Sequence, residues 1–310
     1  MNRFAIRSRQ GAYVALVALT LIWGGNWLVM KLALRLADPI SHNIHRTLTA
    51  IAVLFGALLW QRRRLLPESW RAVLVTGFFQ TTVNLSSTAL ALAEGGAGRT
   101  SVLVFTMPFW TILIAWPVLH ERLRGLQWLA VGLAFAGLML VVEPWSWQGA
   151  LAPKLWAVLA GLGWAAGTIS IKYFQRNTRY DMLNFMAWQM ALGVLPVLLI
   201  PLVVTVTPTD WGARYAVLLF YTGPISTAMG FVLWIGILRF LPAGTASLNM
   251  LAIPVIALVS SMAFFGERLT RAEWIGIACL GVGLVVISAR AYAVGRRDVA
   301  AIAPPPGEGG

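Results

Sequence analysis

The stretch that decides the fold is A-G-R-T-S-V-L-V-F-T-M-P at 97–108, together with the E-R-L turn that follows it at 121–123. Shifted by 146 residues, its landmarks recur without a gap. Ala97-Gly98, Ser101, Pro108, Glu121-Arg122-Leu123, Trp128 and Gly137-Leu138 fall on Ala243-Gly244, Ser247, Pro254, Glu267-Arg268-Leu269, Trp274 and Gly283-Leu284. A weaker match at a shift of 141 sets Trp23 and Lys31 on Trp164 and Lys172, with small residues after each Trp. Self-similarity at so long a period is the mark of a duplicated unit.

Composition says what the unit is made of. The chain has 310 residues, of which 59% are hydrophobic and 11% charged, whereas a soluble domain is about one quarter charged. About 20 apolar residues cross a bilayer core as a helix. Apolar runs between charged or Pro/Gly breaks predict ten spans: 11–34, 41–61, 72–92, 97–118, 125–143, 154–174, 182–206, 213–237, 244–264 and 272–292. The runs are continuous rather than alternating, which argues against a membrane barrel. The expected fold is therefore an all-α integral membrane protein.

Both internal matches pair helix n with helix n+5. Because five is odd, the second unit enters the membrane from the opposite side, so the two five-helix repeats are inverted, an arrangement used by secondary transporters. The organisation read from this is 1–10, a cytoplasmic N-terminus; 11–147, the first repeat; 148–293, the second; and 294–310, a tail with too little apolar periodicity to fold, expected to be a disordered cytoplasmic end. The run after Arg3, Arg7 and Arg9 imitates a signal peptide, but its length and its recurrence as helix six mark a retained helix.

The net charge of +13 would suggest nucleic acid in a soluble protein. Here 16 of the 24 basic residues fall on one side of the ten-span topology, so the charge reads as an orientation signal with both termini cytoplasmic and no nucleic-acid partner. The expected partners are the lipid bilayer and a small-molecule substrate; nothing selects an oligomeric state, and a monomer satisfies the sequence. Cys279 is the single cysteine, no metal-ligand spacing occurs, and no cofactor or metal is expected. Intramembrane enzymes and channels are competing classes, but no H-E-x-x-H, G-x-S-x-G or filter segment is present.

Polar side chains are costly at membrane depth and mark either cavities or helix contacts. The third span carries Q-T-T-V-N-L-S-S-T at 80–88, where Gln80, Asn84 and Ser87 share a face by helical spacing. They either line a cavity or bond neighbouring helices. Asn26, Tyr221 and Asn249 are further candidates. Trp23, Trp164 and Trp188 lie deeper than the interfacial tryptophans and offer substrate-facing rings. Pro108 and Pro254, at equivalent repeat positions, are expected to kink the fourth and ninth helices and shape a cavity. His42, His45 and Arg46 open the second span, for proton sensing or carboxylate binding on one reading and for interfacial hydrogen bonding on the other. Lys31 and Lys172 are expected to snorkel. Glu121-Arg122 and Glu267-Arg268 read as helix-end pairs, and no acidic residue falls clearly mid-span.

The motif W-G-G-N-W at 23–27 and the doubled P…E-R-L…W…G pattern resemble the drug/metabolite transporter superfamily, specifically its EamA-type ten-helix exporters. The resemblance covers 11–293. Within that group the Trp-rich profile is similar to aromatic amino-acid exporters of the YddG type. It implies export of amino acids, aromatic or otherwise hydrophobic, or of similar amphipathic metabolites across the bacterial inner membrane by alternating access, with multidrug or other metabolite export as the neighbouring alternative. It also implies a substrate-facing role for Trp164. Met107 stands where such exporters carry a bulky aromatic residue, a departure that widens the expected substrate range.

Overall fold

The computed structural model describes residues 8–120, 125–142, 151–176, 180–238, 240, 252–283 and 285–286. The expectations for Asn249, Glu121-Arg122 and the 294–310 tail lie outside these residues. Among the described residues every regular element is helical. In chain order they are α1 (Arg9–Ala33), α2 (Pro39–Trp60), α3 (Trp70–Gly77), α4 (Asn84–Glu94), α5 (Ala97–Val104), α6 (Met107–Leu119), α7 (Leu126–Val142), α8 (Leu151–Gln175), α9 (Met182–Leu199), α10 (Ala213–Phe220), α11 (Gly230–Leu238) and α12 (Ala252–Phe265), followed by a helix over 271–283.

Among the described residues six stretches are long and apolar enough to cross a membrane: Gln10–Ala33, Pro39–Trp60, Ala97–Leu119, Leu151–Phe174, Met182–Leu202 and Ala213–Trp234. Shorter apolar helices occupy Trp128–Val142 and Ala252–Phe265. Local chemistry sets the ends. Ser8, Asp38, Ser69 and Asp181 accept from first-turn N–H groups of α1, α2, α3 and α9, satisfying donors that no intrahelical carbonyl reaches. The expected helix 182–206 instead stops at Leu199, with a 3₁₀ turn at Ile200–Leu202, since Pro201 has no N–H to continue the ladder.

Basic side chains close several opposite ends. The Lys31 ammonium donates to the carbonyls of Leu92, Ala93 and Gly95 at 2.6, 2.9 and 2.8 Å. It therefore caps the C-terminus of α4 instead of snorkelling. Lys154 does the same for Val142 of α7 at 2.8 Å, and Arg176 for Leu119 of α6 at 2.7 Å. A cation at a helix C-terminus meets both unpaired carbonyls and the negative end of the dipole.

Packing obeys the repeat. The first helix of each half lies against the third and fourth helical rods of the other half: α1 on α10, α11 and α12, and α8 on α4, α5 and α6. The two second helices, α2 and α9, pack on each other. Gly137 of α7 meets Gly276, and a Cβ at either would fall 2.6–2.7 Å from the other's carbonyl oxygen. Gly283, the repeat copy of Gly137, meets the carbonyl of Ala130, which is the repeat counterpart of Gly276. Two close approaches that exchange under the 146-residue shift are what a pseudo-two-fold axis produces.

Two of the rods depart from α-helix. Phe78–Val83 joins α3 to α4 as a π-helix, and Tyr221–Met229 joins α10 to α11 in the same way. They occupy the third helix of each half. Pro224, inside the second, removes one ladder donor, and π segments collect at functional sites. Nothing in the residue pattern had marked them.

Acidic groups sit deeper than their positions near span ends suggested. Side-chain exposure is 5% for Glu267 and 3% for Glu273. The Glu267 carboxylate accepts from the backbone N–H groups of Gly98 and Arg99 at 3.0 and 3.1 Å, and from the Ser261 hydroxyl. It thus caps α5, joining the second half to the first. Arg99 bridges onward to Glu273 at 2.5 Å. Both acids are affordable because each has charged and N–H partners.

Candidate functional site

Among the described residues, seven rods line a central cavity of about 100 Å³. α1 supplies Trp23, Asn26 and Trp27; α2 supplies Arg46; α4 supplies Leu85 and Thr88. The broken fourth rod contributes Val104, Phe105 and Met107, α8 contributes Trp164, and the eighth rod contributes Ser226 and Phe231. Ile253 of α12 completes the wall.

The motif at 23–27 divides its labour by position. The Trp23 indole N–H donates to the Ser226 carbonyl at 2.8 Å. Gly24 lies against Ile256, where an added Cβ would come within 2.8 Å of the side chain, and Gly25 faces the Tyr221 hydroxyl. Those two glycines let α1 approach the second half, while Asn26 and Trp27 turn into the cavity. The Asn26 Oδ1 is buried and has no hydrogen-bond partner.

Trp23 and Trp164, repeat equivalents, meet edge to face with centroids 6.4 Å apart. Phe231 stacks on Trp164 at 5.8 Å and 25° and stands edge-on to Trp23 at 6.0 Å. This three-ring wall presents π faces and edges to whatever occupies the cavity.

The floor beside Met107 comes from a break in the helix. α5 ends at Val104, and α6 begins with Pro108 in its first turn. Pro108 cannot donate to the Val104 carbonyl, which instead reaches α8: a Cβ at Gly161 would lie 2.8 Å from that oxygen. Thr106 bridges the gap by donating its hydroxyl to Leu103 O at 2.6 Å and accepting from the Trp110 indole at 3.0 Å. Pro254 sits in the first turn of the described α12.

Among the described residues Arg46 is the one basic side chain on the cavity wall, with 8% residue exposure. Its Nε donates to Thr227 Oγ1 at 2.8 Å, and one terminal nitrogen lies 3.2 Å from Met30 Sδ. Among the described residues no carboxylate pairs with it. Thr227 in turn donates to the Thr222 carbonyl at 2.7 Å, so the π segment holds the hydroxyl that orients the guanidinium.

Other candidates fall elsewhere. The Asn84 amide donates to Ala160 O of α8 at 2.8 Å, and Gln80 packs where Gly167 leaves no Cβ. Ser87 is buried, outside the cavity wall. The face Gln80–Asn84–Ser87 is turned to neighbouring helices, and Leu85 and Thr88 beside it reach the cavity. Trp188 is not at mid-depth: its indole donates to Leu65 O at 2.5 Å in the 61–69 connection and stacks edgewise on Trp70. The Tyr221 hydroxyl donates to Ile22 O at 2.9 Å, tying α1 to the π segment. His42 and His45 share the Tyr215 hydroxyl at 3.1 and 2.9 Å, and neither is on the cavity wall. Ser226 and Thr227 are polar residues of the eighth span and so are legible as site markers, whereas Phe231 is one of many apolar residues in that span and carries no signal in the sequence. Among the described residues no cluster of three metal-ligating side chains occurs.

A family model described as the EamA-like transporter family matches residues 10–143 and again 152–289. An uncharacterized transporter of Bacillus subtilis, YoaV, is 24% identical over 277 residues, covering 87% of this chain and 94% of that one. A probable amino-acid metabolite efflux pump of Salmonella typhimurium is 26% identical over 294 residues, covering 90% and 95%; its Escherichia coli counterpart is 24% identical over the same length. A solved crystal structure of 19% identity superposes with a TM-score of 0.63 over 92% of this chain and all of that one, a likeness of fold.

Proposed function

The chain belongs to the EamA-like transporter family, and on that premise we propose that it exports amino acids or similar small amphipathic metabolites across the bacterial inner membrane. Both termini lie in the cytoplasm, as the basic residues indicate, and alternating access moves the two inverted halves about the central cavity. One observation carries the reading. The first helices of the two halves meet at Trp23 and Trp164, and the cavity beside them joins an aromatic wall to polar groups from both halves. A site built at the repeat interface can be served from either face by the same rearrangement. Rings hold an apolar side chain and attract an ammonium, while polar groups hold the charged end.

The pair His42 and His45 on Tyr215 is the candidate for coupling to protons, since His42 stands one helical turn before Arg46 on α2. The probable efflux pumps among the relatives support an amino-acid cargo.

Saturable counterflow in liposomes, with a panel of labelled amino acids, tests this directly. A carrier shows exchange that is accelerated by unlabelled substrate on the far side; a pore or an enzyme does not. Failure of every amino acid to exchange would reject the cargo and leave other metabolites or drugs. Trp164→Ala is expected to raise the apparent KM about tenfold by removing two ring contacts; an unchanged KM would remove Trp164 from the site.

A further inference from the structure

We infer that the cavity reads its cargo through the carboxylate, with Arg46 as the anion subsite and Asn26 Oδ1 as the acceptor for an α-ammonium, so that apolar α-amino acids are preferred over amines that share their side chains. The inference rests on the proposed transport function and narrows its substrate class.

Three observations support it. First, Arg46 is buried with only two of its polar contacts accounted for, a threonine hydroxyl and a thioether. A buried guanidinium with no anion is costly, and its planar fork matches a carboxylate. Ligand carboxylate is the anion that the cavity wall lacks. Second, the Asn26 acceptor is orphaned in the same cavity. Asn26 stands one helical turn before Met30, whose sulfur touches the guanidinium, and both Asn26 and Arg46 line the same cavity. The wall thus offers one partner for each charged end of an α-amino acid. Third, among the described wall residues none is acidic, so an amine without a carboxylate meets a buried cation and no counter-charge. Cations are thereby disfavoured.

Thr227 is a positioning residue in this scheme. Its hydroxyl is held by the Thr222 carbonyl across five residues of π-helix and accepts from Arg46 Nε. Gly223 makes room for the contact, since a Cβ there would fall 2.9 Å from the Arg46 carbonyl oxygen and closer still to the Thr49 hydroxyl.

The test uses the full-length protein in liposomes and four competitors with one side chain: phenylalanine, 3-phenylpropanoate, phenylalaninamide and phenethylamine. The expected order of inhibition of labelled phenylalanine counterflow is phenylalanine, then 3-phenylpropanoate, with the amide and the amine weaker by at least about 30-fold, the scale of losing a buried charged partner. Equal inhibition by phenethylamine and 3-phenylpropanoate overturns the inference and leaves transport standing. Exchange of some other cargo with none of these four also overturns it, and exchange of nothing at all removes the transport reading with it. Arg46→Gln is expected to bring the acid-to-amine ratio near one; an unchanged ratio contradicts the assignment. Should that variant not assemble, Thr227→Val is expected to lower the ratio and Thr227→Ser to keep it, and equal ratios in the two overturn the positioning role.

Discussion

The third helical rod and the first make an instructive pair. Residues 80–88 carry seven polar side chains in nine, and several of these are spent on neighbouring helices: Thr81 donates to Gln189 at 3.0 Å, Thr82 to Gly193 O at 2.5 Å and Asn84 to Ala160 O at 2.8 Å. The first rod offers one Asn between two tryptophans, and that Asn is the group left with an unused acceptor in the cavity. Polarity at depth therefore separates by location. Groups that find protein partners hold the bundle together, and among the described acceptors left without one, that of Asn26 lies at the cavity while that of Gln80 does not.

The largest way to break this comparison is at the glycines that allow the third rod its contacts. A Cβ at Gly193 would lie 2.3 Å from the Gly77 carbonyl oxygen, and one at Gly77 equally close to that of Gln189. Since backbone must move, Gly193→Val is expected to cost about 3 kcal/mol or more, read as loss of the monodisperse species in detergent or a large fall in melting temperature. Gly24→Ala, which meets only the Ile256 side chain, should cost less. Equal effects would mean that side-chain and backbone contacts constrain the bundle alike.

Next comes the link between the halves at Glu267. Glu267→Gln keeps the shape but removes the charge that faces the α5 N-terminus and Arg99. The expected loss is about 1–2 kcal/mol, on the scale of capping and dipole interactions, checked by thermal unfolding. A melting temperature unchanged in the variant would show that the buried carboxylate contributes nothing net, as some buried pairs do.

The smallest expected effect sharpens the contrast most. Asn84→Ala removes one interhelical hydrogen bond and should cost about 1 kcal/mol with counterflow KM unchanged. Asn26→Ala should barely move the melting temperature, because it loses an acceptor that has no partner, while raising KM for amino acids several-fold. Reversed effects would exchange the roles of the two rods.

Much of the architecture could be read from the residues because it rests on long apolar runs and on a repeat that physics must honour: a duplicated odd-numbered unit inverts. The pair of tryptophans Trp23 and Trp164 was legible for the same reason. Helical spacing, by contrast, tells which residues share a face and not which neighbour that face meets: what Gln80 and Asn84 pack against is decided by Gly163 and Gly167 of a helix some 80 residues away. Lys31 looked like a snorkelling end because the carbonyls it caps belong to a distant helix. The π segments had no pattern at all, since one extra residue per turn leaves hydropathy unchanged. They were nevertheless what placed Thr227 beside Arg46.

The division between cavity and scaffold is tested most directly by thiol accessibility. In a Cys279→Ser background, Met107→Cys places a thiol on the cavity wall and Ser87→Cys places one in the packed face. With a small methanethiosulfonate reagent, the account predicts labelling at position 107 that slows as transported amino acid is added, and no labelling at position 87. Substrate-insensitive labelling at 107, or substrate-protected labelling at 87, would contradict it.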